Sequence, residues 1–299
     1  MSSSPARVAA KYKNKREVPK ADGSGTTIVY EYSDRQVQNR NRAKAKRVEA
    51  LRKKIDKVRA GVKKGLKSET PRERLTALAV AMIDETYSRV GNAGSAKNGH
   101  FGITTLQKEH VKFNSGGATL KYVGKSGVEQ EKRIIRKPLV DALKAALKGK
   151  KKGDRVFCEG SSCVVTAEDV NRFLKGHGIT AKDLRGLHAN EEAKKALAKI
   201  RKSGPKLPSD AKEREKLLKA EFKQAVEEAA SKVGNKPSTL RSQYLVPGIE
   251  AEYLKNGKVL VKLSNLRVAT LSDTEREERE NRRLIPKSPK KKPPRQDLR

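Results

Sequence analysis

Helix start signals constrain the fold of this chain more than any other feature of its sequence. The stretch TPRE, beginning at Thr70, combines a capping hydroxyl, a proline at the first helical position and a glutamate at the third, which is the pattern of a capping box. Thr180 and Asp183 form a second such pattern, and Thr166 is placed to cap the helix between them. Apolar residues recur at helical spacing after these signals, so helices are expected to form most of the domain.

Short strands are expected between the helices. ATLKYVGK and VEQEKRIIR lie on either side of Ser126-Gly127 and predict an antiparallel hairpin. HFGITTL and HVKF alternate more weakly, and AEYLKNGKVLVKL is typical of a small hairpin around Asn256-Gly257. The predicted fold class is therefore α+β, a mostly helical domain over residues 68–270 with a small antiparallel hairpin or sheet.

The segments that flank this domain are basic. Residues 1–26 show no apolar period and are predicted to be a basic flexible arm. Residues 27–67 are predicted to hold a short strand, TTIVYEY, and a basic amphipathic helix whose solvent face could follow a phosphate backbone or simply be solvated. Residues 271–299 are rich in charge and proline and predict a basic disordered tail. The helix in 27–67 has apolar residues at Val48, Leu51, Ile55, Val58 and Val62.

The charge balance favours a nucleic acid as partner. The chain has 70 Lys+Arg against 35 Asp+Glu, a net charge of +35, and such an excess promotes binding to a polyanion. No apolar run reaches the roughly 20 residues that cross a bilayer, and the first residues lack the apolar segment of a secretory signal. We therefore expect an intracellular protein that binds nucleic acid and no membrane. Its 2 cysteines are expected to be reduced thiols.

Several familiar enzyme motifs do not occur in the sequence. It contains no phosphate-binding loop of the GxxxxGK[ST] type, no HExxH and no GxSxG, and its 4 histidines show no ligand spacing. We expect no metal and no small-molecule cofactor, although a single carboxylate site for Mg²⁺ remains an alternative.

A scattered set of polar residues in well-defined local settings remains. Arg89 follows the first capped helix, Lys125 lies at the tip of the predicted hairpin, Arg185 lies in the first turn of a helix, and Tyr244 follows a glycine-led turn. Each has an ordinary structural explanation when taken alone. A tyrosine between a polar run and a proline, for example, is as easily a half-buried aromatic as a nucleophile.

Taken together and in order, five segments of the chain resemble the type IB DNA topoisomerases, most closely their small poxvirus and bacterial forms. VQNRNRAKAKR resembles the basic segment before the catalytic domain, and SRVGNAG the first-arginine motif. KYVGKSG resembles the hairpin of the catalytic lysine, GITAKDLRGLHAN the second-arginine motif, and VGNKPSTLRSQYLVP the nucleophile segment. The resemblance covers about 28–250 and implies the catalytic fold that these enzymes share with tyrosine recombinases.

The resemblance implies relaxation of supercoiled DNA through single-strand cleavage, a 3′-phosphotyrosyl intermediate, strand rotation and religation, with neither ATP nor metal. Tyr244 would be the nucleophile, Arg89 and Arg185 would clamp the non-bridging oxygens, and Lys125 would protonate the leaving 5′ oxygen. Asn235 occupies a position where many members have histidine, and its amide could donate the same hydrogen bond. Further DNA contacts are predicted from Arg40, Lys121, Lys182, Ser238 and Arg241.

The resemblance is incomplete before the first capped helix. Type IB enzymes close a clamp around DNA, and residues 27–67 are expected to hold only a truncated remnant of its N-terminal part. The missing clamp would be lost, replaced by the basic arm or supplied by a separate chain, and the protein is expected to act as a monomer on double-stranded DNA. His188, one turn beyond Arg185, is interpreted as a structural or DNA-facing residue rather than a replacement for the missing histidine.

Two alternatives remain open. A tyrosine site-specific recombinase would use the same nucleophile and nearly the same arginines. Recombinases typically show His-x-x-Arg at the second arginine, whereas Lys182 stands three residues before Arg185, and Tyr244 follows Arg185 by an unusually long 59 positions. A non-enzymatic basic DNA-binding protein is the other alternative, and composition alone would favour it.

Overall fold

A computed structural model describes residues 12–19, 25–159 and 162–259. The predicted tail over 271–299 and the outer part of the predicted arm lie outside the described residues. The described residues divide into two compact units. Residues 12–19 and 25–40 belong to the first unit, and residues 41–159 and 162–259 belong to the second.

The first unit contains an antiparallel pair of strands, β1 (Tyr12–Pro19) and β2 (Thr26–Tyr32). The predicted strand TTIVYEY is confirmed as β2. The structure adds β1 inside the residues that the sequence predicts to be an arm without regular structure. Alternating polarity could not reveal β1, because its sequence, YKNKREVP, is charged or polar on both faces.

The long helix α1 (Asp34–Gly65) confirms the apolar stripe that the sequence predicts. Its buried face belongs to the core of the second unit, while most of its basic side chains stay exposed. α1 therefore supplies part of the core of the second unit, while the predicted domain bounds remain a prediction. The residues that α1 buries are Ala45, Val48, Leu51, Ile55, Val58 and Val62.

Seven further α-helices of five or more residues lie in the described part of the second unit, so the mostly helical α+β class is confirmed. The central one, α2, is buried on every side between Thr76 and Asp84, which is typical of a helix in the middle of a core. Each helix of the described residues is too short or too polar to cross a lipid bilayer. The helices are α2 (Pro71–Thr86), α3 (Ala93–Lys97), α4 (Lys137–Ala146), α5 (Ala167–Gly176), α6 (Ala181–Ser203), α7 (Ala211–Val233) and α8 (Ile249–Asn256).

The capping predictions hold to different degrees. At the start of α6 the Asp183 carboxylate accepts from the Thr180 backbone N–H at 2.9 Å, and the Thr180 hydroxyl accepts from the Asp183 N–H at 3.3 Å, so that capping box is confirmed. α2 begins after Thr70 as predicted, but the Thr70 side chain makes no capping hydrogen bond to the described backbone. The predicted box is wrong there because Glu73 instead accepts from the Ser68 hydroxyl at 2.7 Å.

The predicted hairpin is confirmed as part of a three-stranded antiparallel sheet in the order β3 (Val111–Asn114), β4 (Gly117–Val123) and β5 (Glu129–Ile134). HFGITTL is not a strand but contains a 3₁₀ turn. The hairpin predicted around Asn256-Gly257 is wrong within the described residues, because Asn256 ends α8 and Gly257 caps it with a φ of 63°.

A second, very short antiparallel pair contains β6 (Cys158–Glu159) and β7 (Ser162–Cys163), in which Cys158 and Cys163 face each other in register. Cys158 is disulfide-bonded. The expectation of a reduced thiol is therefore wrong at Cys158.

A buried charge cluster joins three helices of the second unit. The Asp84 carboxylate of α2 accepts from Arg59 Nε of α1 at 2.8 Å and lies 2.8 Å from His188 Nε2 of α6. Burial opposes the charged form of Asp84, but the hydrogen bonds from His188 and Arg59 outweigh it and lower the pKa of Asp84 to about 2. His188 is buried against this carboxylate, so its structural interpretation is confirmed.

Replacing Asp84 with asparagine is expected to lower the free energy of unfolding near pH 7 by about 2 kcal/mol or more, because buried His188 and the more exposed Arg59 lose the carboxylate that they share. The folded-state pKa lies below the unfolded one, so this contribution is present above pH ~4 and is lost as the pH falls toward ~2. Urea unfolding from pH 3 to 7 should therefore show the gap between wild type and Asp84→Asn narrowing as the pH falls.

Asp141→Asn is the matched control, because Asp141 pairs with Lys137 on the surface at 2.8 Å. It should change the free energy of unfolding by less than about 0.5 kcal/mol. A loss at Asp84 no larger than that of the control would show that the cluster is not stabilising.

Candidate active site

An open cleft of about 630 Å³ in the second unit brings together residues from five separate parts of the sequence. Arg89, Lys125, Arg185 and Tyr244, all predicted as catalytic, line it together with Lys182. No carboxylate stands among the described residues that line the cleft. Four cationic side chains around one cavity make it a site for an anion.

Asn235 is buried and connects the two arginines. Its Oδ1 accepts from Arg89 Nη2 at 3.1 Å and from Arg185 Nη2 at 3.0 Å. A guanidinium can only donate, so the amide orientation is decided by chemistry: the oxygen faces the arginines and Nδ2 faces away. Nδ2 is buried and has no acceptor within hydrogen-bond distance among the described residues. The site therefore holds one spare buried donor beside two guanidinium groups.

The turn that carries Asn235 depends on Gly234. Gly234 ends α7 with a φ of 73°, and the Asn235 backbone N–H then bonds to the Ala230 carbonyl at 2.9 Å. A Cβ at Gly234 would stand 1.9 Å from Oε1 of Gln130, whose Nε2 donates to the Gly234 carbonyl at 3.4 Å. Strand β5 is thus packed directly on this turn, where only glycine fits.

Buried Lys132 reinforces the same junction. It lies on β5, and its Nζ donates to the carbonyl of Lys232 in the last turn of α7. A cation at a helix C-terminus is favourable, since the unpaired carbonyls there carry partial negative charge. Burial, and then the nearby Arg185 charge, lowers the pKa of Lys132 to about 8.

Tyr244 ends a π-helical turn, Leu240–Tyr244, and only 5% of its surface is exposed. Arg185 Nε lies 3.5 Å from the Tyr244 hydroxyl oxygen, and the guanidinium carbon lies 5.5 Å from the ring centroid. Burial opposes ionisation of the phenol, but the charge and hydrogen bond of Arg185, followed by the charges of Arg89 and Lys182, lower the pKa of Tyr244. The environment therefore favours the phenolate more than water does.

Asn190 fixes the main chain at Tyr244 and just after it, and the sequence did not predict this role. Its Nδ2 donates to the Tyr244 carbonyl at 2.9 Å and to the Gly186 carbonyl at 2.7 Å. Its Oδ1 accepts from the Val246 backbone N–H at 2.8 Å. Asn190 lies on α6 with Arg185, so one helix places both groups. Nothing local in LRGLHAN indicates this role, because the partners of Asn190 lie 54 and 56 positions further along the chain.

Lys44 of α1 also supports the turn that contains Tyr244. Its Nζ donates to the carbonyls of Ser242 and Leu245 at 3.1 and 3.3 Å. These two carbonyls lie on either side of Tyr244 in the sequence. The basic helix before the domain thus contributes to the position of the nucleophile segment.

Lys125 lies in the turn between β4 and β5, where Ser126 adopts a φ of 63°. Its side chain is exposed and lines the cleft with the arginines. Among the described residues, no group of three or more His, Cys, Asp or Glu side chains is placed to hold a metal ion.

The residues predicted to contact DNA have different surroundings. Lys182 lines the cleft, and Ser238 is exposed one residue before Thr239, which also lines it. Lys121 lies on β4 and pairs with Glu131 at 3.0 Å. The other two are Arg241, whose guanidinium holds Glu250 through contacts of 2.6–3.1 Å, and Arg40 in the first unit, which lies 4.4 Å from the centre of the Tyr32 ring.

Comparison with known proteins decides the family. The family model described as the catalytic core of eukaryotic DNA topoisomerase I matches residues 33–252, which is most of the chain. The protein belongs to this family. The match covers both arginine motifs, the lysine hairpin and the tyrosine segment, so the resemblance to type IB topoisomerases is confirmed.

Two relatives support this membership of the type IB topoisomerases. DNA topoisomerase 1B of Acanthamoeba polyphaga mimivirus is 30% identical over 191 residues, which cover 59% of this chain and 56% of that protein. DNA topoisomerase 1 of Mycosarcoma maydis is 26% identical over 175 residues, covering 51% of this chain and 17% of that protein. The chain thus spans about half the length of the first relative and much less of the second.

Solved structures of the XerH site-specific recombinase bound to difH DNA are more distant. The post-cleavage complex is 18% identical with a TM-score of 0.40, covering 62% of this chain and 46% of XerH. The pre-cleavage complex is 15% identical with a TM-score of 0.36. Similarity at this level does not indicate a function for this chain.

Replacing Asn190 with alanine is expected to lower the free energy of unfolding by about 3 kcal/mol, because it leaves the Tyr244 carbonyl and the Val246 N–H buried without a partner. Urea denaturation followed by circular dichroism measures the change. Asn171→Ala is the control, since Asn171 is an exposed asparagine on α5 and should change stability by less than about 0.5 kcal/mol. A decrease in the free energy of unfolding of less than about 1 kcal/mol for Asn190→Ala would show that Asn190 does not hold the Tyr244 segment in place.

Proposed function

We propose that this chain relaxes supercoiled double-stranded DNA by cutting and resealing one strand through Tyr244. One observation carries the proposal: Asn235 Oδ1 accepts from both Arg89 and Arg185, and Arg185 Nε reaches the Tyr244 hydroxyl at 3.5 Å. A phosphodiester placed among these groups meets a nucleophile and two permanent cations at once. That is the set of groups that phosphoryl transfer requires, since its transition state concentrates negative charge on the phosphate oxygens.

In the proposed cleavage step the Tyr244 oxygen attacks phosphorus and its proton leaves to solvent at the open cleft. The O–P bond to tyrosine forms as the P–O5′ bond breaks, giving a 3′-phosphotyrosyl link and a free 5′-hydroxyl. Lys125, at the hairpin tip, supplies the proton that the departing 5′ oxygen takes up. The reverse of these transfers reseals the strand, so the bond energy is conserved and neither ATP nor a metal ion enters the scheme.

The arginines and Asn235 act on the non-bridging oxygens. Each guanidinium terminal nitrogen carries a second N–H besides the one directed at Asn235 Oδ1, so both can bind phosphate without giving up that contact. Asn235 Nδ2 is the buried donor that has no acceptor among the described residues, and we assign it to a non-bridging oxygen. It would replace the histidine of other family members in binding, though not in carrying charge.

Binding to DNA is proposed to extend beyond the cleft and to be strongly salt-dependent. Lys182 and Ser238 lie at or beside the cleft and are proposed to contact the backbone nearest the cut. Arg40, Lys121 and Arg241 are proposed to bind phosphates further along the duplex, and Arg241 must first give up its pairing with Glu250. With a net charge of +35, counterion release should dominate the affinity.

We propose a monomer that binds DNA inside the cell, with another protein chain closing over the face of the duplex opposite the cleft. The open shape of the cleft supports the need for a second surface. Sedimentation of the protein with a DNA duplex would measure the stoichiometry, and a 2:1 complex would contradict the monomer.

Incubation with supercoiled plasmid in EDTA and without ATP tests the activity. Wild type is expected to relax the plasmid, while Tyr244→Phe, which keeps the ring but removes the nucleophilic oxygen, should show no relaxation and bind DNA with unchanged affinity. Wild type that binds the plasmid but leaves it supercoiled would sink the proposal. Exchange between defined sites without general relaxation would favour a site-specific recombinase instead.

Asn235→Ala should slow single-turnover formation of the covalent complex by about 10²-fold while leaving DNA affinity nearly unchanged, as expected for loss of a donor used in the transition state. Asn235→His is the matched variant, because it restores a donor at the same position, and it should recover most of the rate. Equal rates for Asn235→Ala and wild type would show that Asn235 donates nothing to the reaction.

A further inference from the structure

Tyr87, which no motif singled out, has an unusual backbone conformation next to the cleft. It caps the C-terminus of α2 with φ 59° and ψ 20°, in the left-handed region. Of the described non-glycine residues, Tyr87 and Ser126 have positive φ. A bulky side chain is rarely found in this conformation and persists there only where its surroundings hold it.

Contacts on the Tyr87 side chain account for the conformation. The Tyr87 ring stacks on the His188 imidazole with centroids 4.3 Å apart and planes inclined by 24°. The His188 ring is itself held by Asp84 at 2.8 Å. The Tyr87 hydroxyl donates to Glu192 Oε1 at 3.3 Å, and Glu192 is bound in turn by Lys232 at 2.7 Å. Both ends of the side chain are therefore anchored.

The backbone of Tyr87 holds the guanidinium of Arg185. The Tyr87 carbonyl accepts a hydrogen bond from Arg185 Nη1. Arg185 Nη2 then reaches Asn235 Oδ1 and Nε faces the Tyr244 hydroxyl. In a continuing helix the Tyr87 carbonyl would point along the α2 axis, so the left-handed turn is what directs it at Arg185.

The three residues that contact Tyr87 lie on one face of α6. Arg185, His188 and Glu192 stand at positions i, i+3 and i+7, which lie on one face of a helix. All three contact Tyr87: Glu192 holds the hydroxyl, His188 holds the ring and Arg185 takes the carbonyl. One face of α6 thus holds Tyr87 in its conformation and also carries Arg185, the residue that the Tyr87 carbonyl orients.

We propose that Tyr87 is a positioning residue for Arg185, and that its left-handed backbone, locked by His188 and Glu192, aims the guanidinium at the reacting phosphate. The proposal rests on the proposed DNA cleavage activity for its functional consequence. Tyr87 itself touches neither DNA nor the reacting atoms. It acts through the orientation of Arg185, which is 3% exposed and depends on its hydrogen bonds for direction.

Three substitutions of Tyr87 separate its ring, its hydroxyl and its backbone. Tyr87→Phe keeps the ring and should form covalent complex within about threefold of the wild-type rate. Tyr87→Gly loses the ring but adopts positive φ readily, and should be about 10-fold slower. Tyr87→Val loses the ring and disfavours positive φ, and should be at least 30-fold slower. Equal rates for the Gly and Val variants would show that the backbone conformation is irrelevant.

Stability and DNA affinity are measured on the same variants. DNA affinity should stay within about twofold for all three, because Tyr87 makes no contact with the duplex. If Tyr87→Val does not fold, the comparison of the Phe and Gly variants still decides the case. A Gly variant as fast as the Phe variant would overturn the role of the anchored ring.

A double-mutant cycle with Arg185→Lys distinguishes positioning from general destabilisation. Lysine cannot make the directed contacts of the guanidinium, so Tyr87→Val added to Arg185→Lys should cost less than about twofold in cleavage rate. If Tyr87→Val lowers the cleavage rate of Arg185→Lys by the same factor as it lowers that of wild type, the proposal is overturned.

Nitrogen-15 spectra of the arginine side chains give a readout that needs no activity. The Nη hydrogens of Arg185, assigned by their absence in Arg185→Lys, should exchange slowly with solvent in wild type and Tyr87→Phe, and at least 10-fold faster in Tyr87→Val. Unchanged exchange in Tyr87→Val would overturn the proposal. If wild type makes no covalent complex but the exchange changes as expected, the proposed function fails and the positioning stands.

Discussion

The site depends on one neutral oxygen shared by two cations. Arg89 and Arg185 repel each other, and burial makes that repulsion stronger because the surrounding protein screens it poorly. Asn235 Oδ1 accepts from both at 3.0–3.1 Å and so holds the two guanidinium groups next to each other. Since the acceptor is uncharged, it neutralises neither guanidinium, and the full positive charge remains available to the ligand.

The elements around this oxygen are arranged to hold it still. α7 ends at Gly234, strand β5 packs on that turn through Gln130, and Lys132 donates to the Lys232 carbonyl in the last turn of the helix. α6 carries Arg185 and, over the next two turns, the residues that hold Tyr87 and the tyrosine segment. The charged cluster around Asp84 fixes α1, α2 and α6 to one another. These contacts make the scaffold rigid, and a rigid scaffold is needed to keep two groups of like charge close together.

The sequence predicted the helices, the β4–β5 hairpin and the motif residues that now lie in one cleft. Those predictions succeed where the signal is local, as in the Thr180 cap or the apolar stripe of α1. The sequence could not predict Asn190 or Tyr87, because their importance comes from partners 54 and 98 positions away. It also missed β1, whose charged residues follow no alternating pattern, and it read α8 as a hairpin because Asn256-Gly257 serves helix ends as well as turns.

The attachment of Tyr244 has a mechanical consequence. In the proposed intermediate one DNA end hangs from the phenol oxygen while the other strand end turns, so torque is transmitted through this side chain into the protein. The load passes from Tyr244 into the main-chain groups that Asn190 and Lys44 bind. It is then shared by α6 and α1, the two helices that carry those residues. In the proposed intermediate we therefore expect α1 to bear mechanical load and to keep the phosphotyrosine facing the strand end that must return to it.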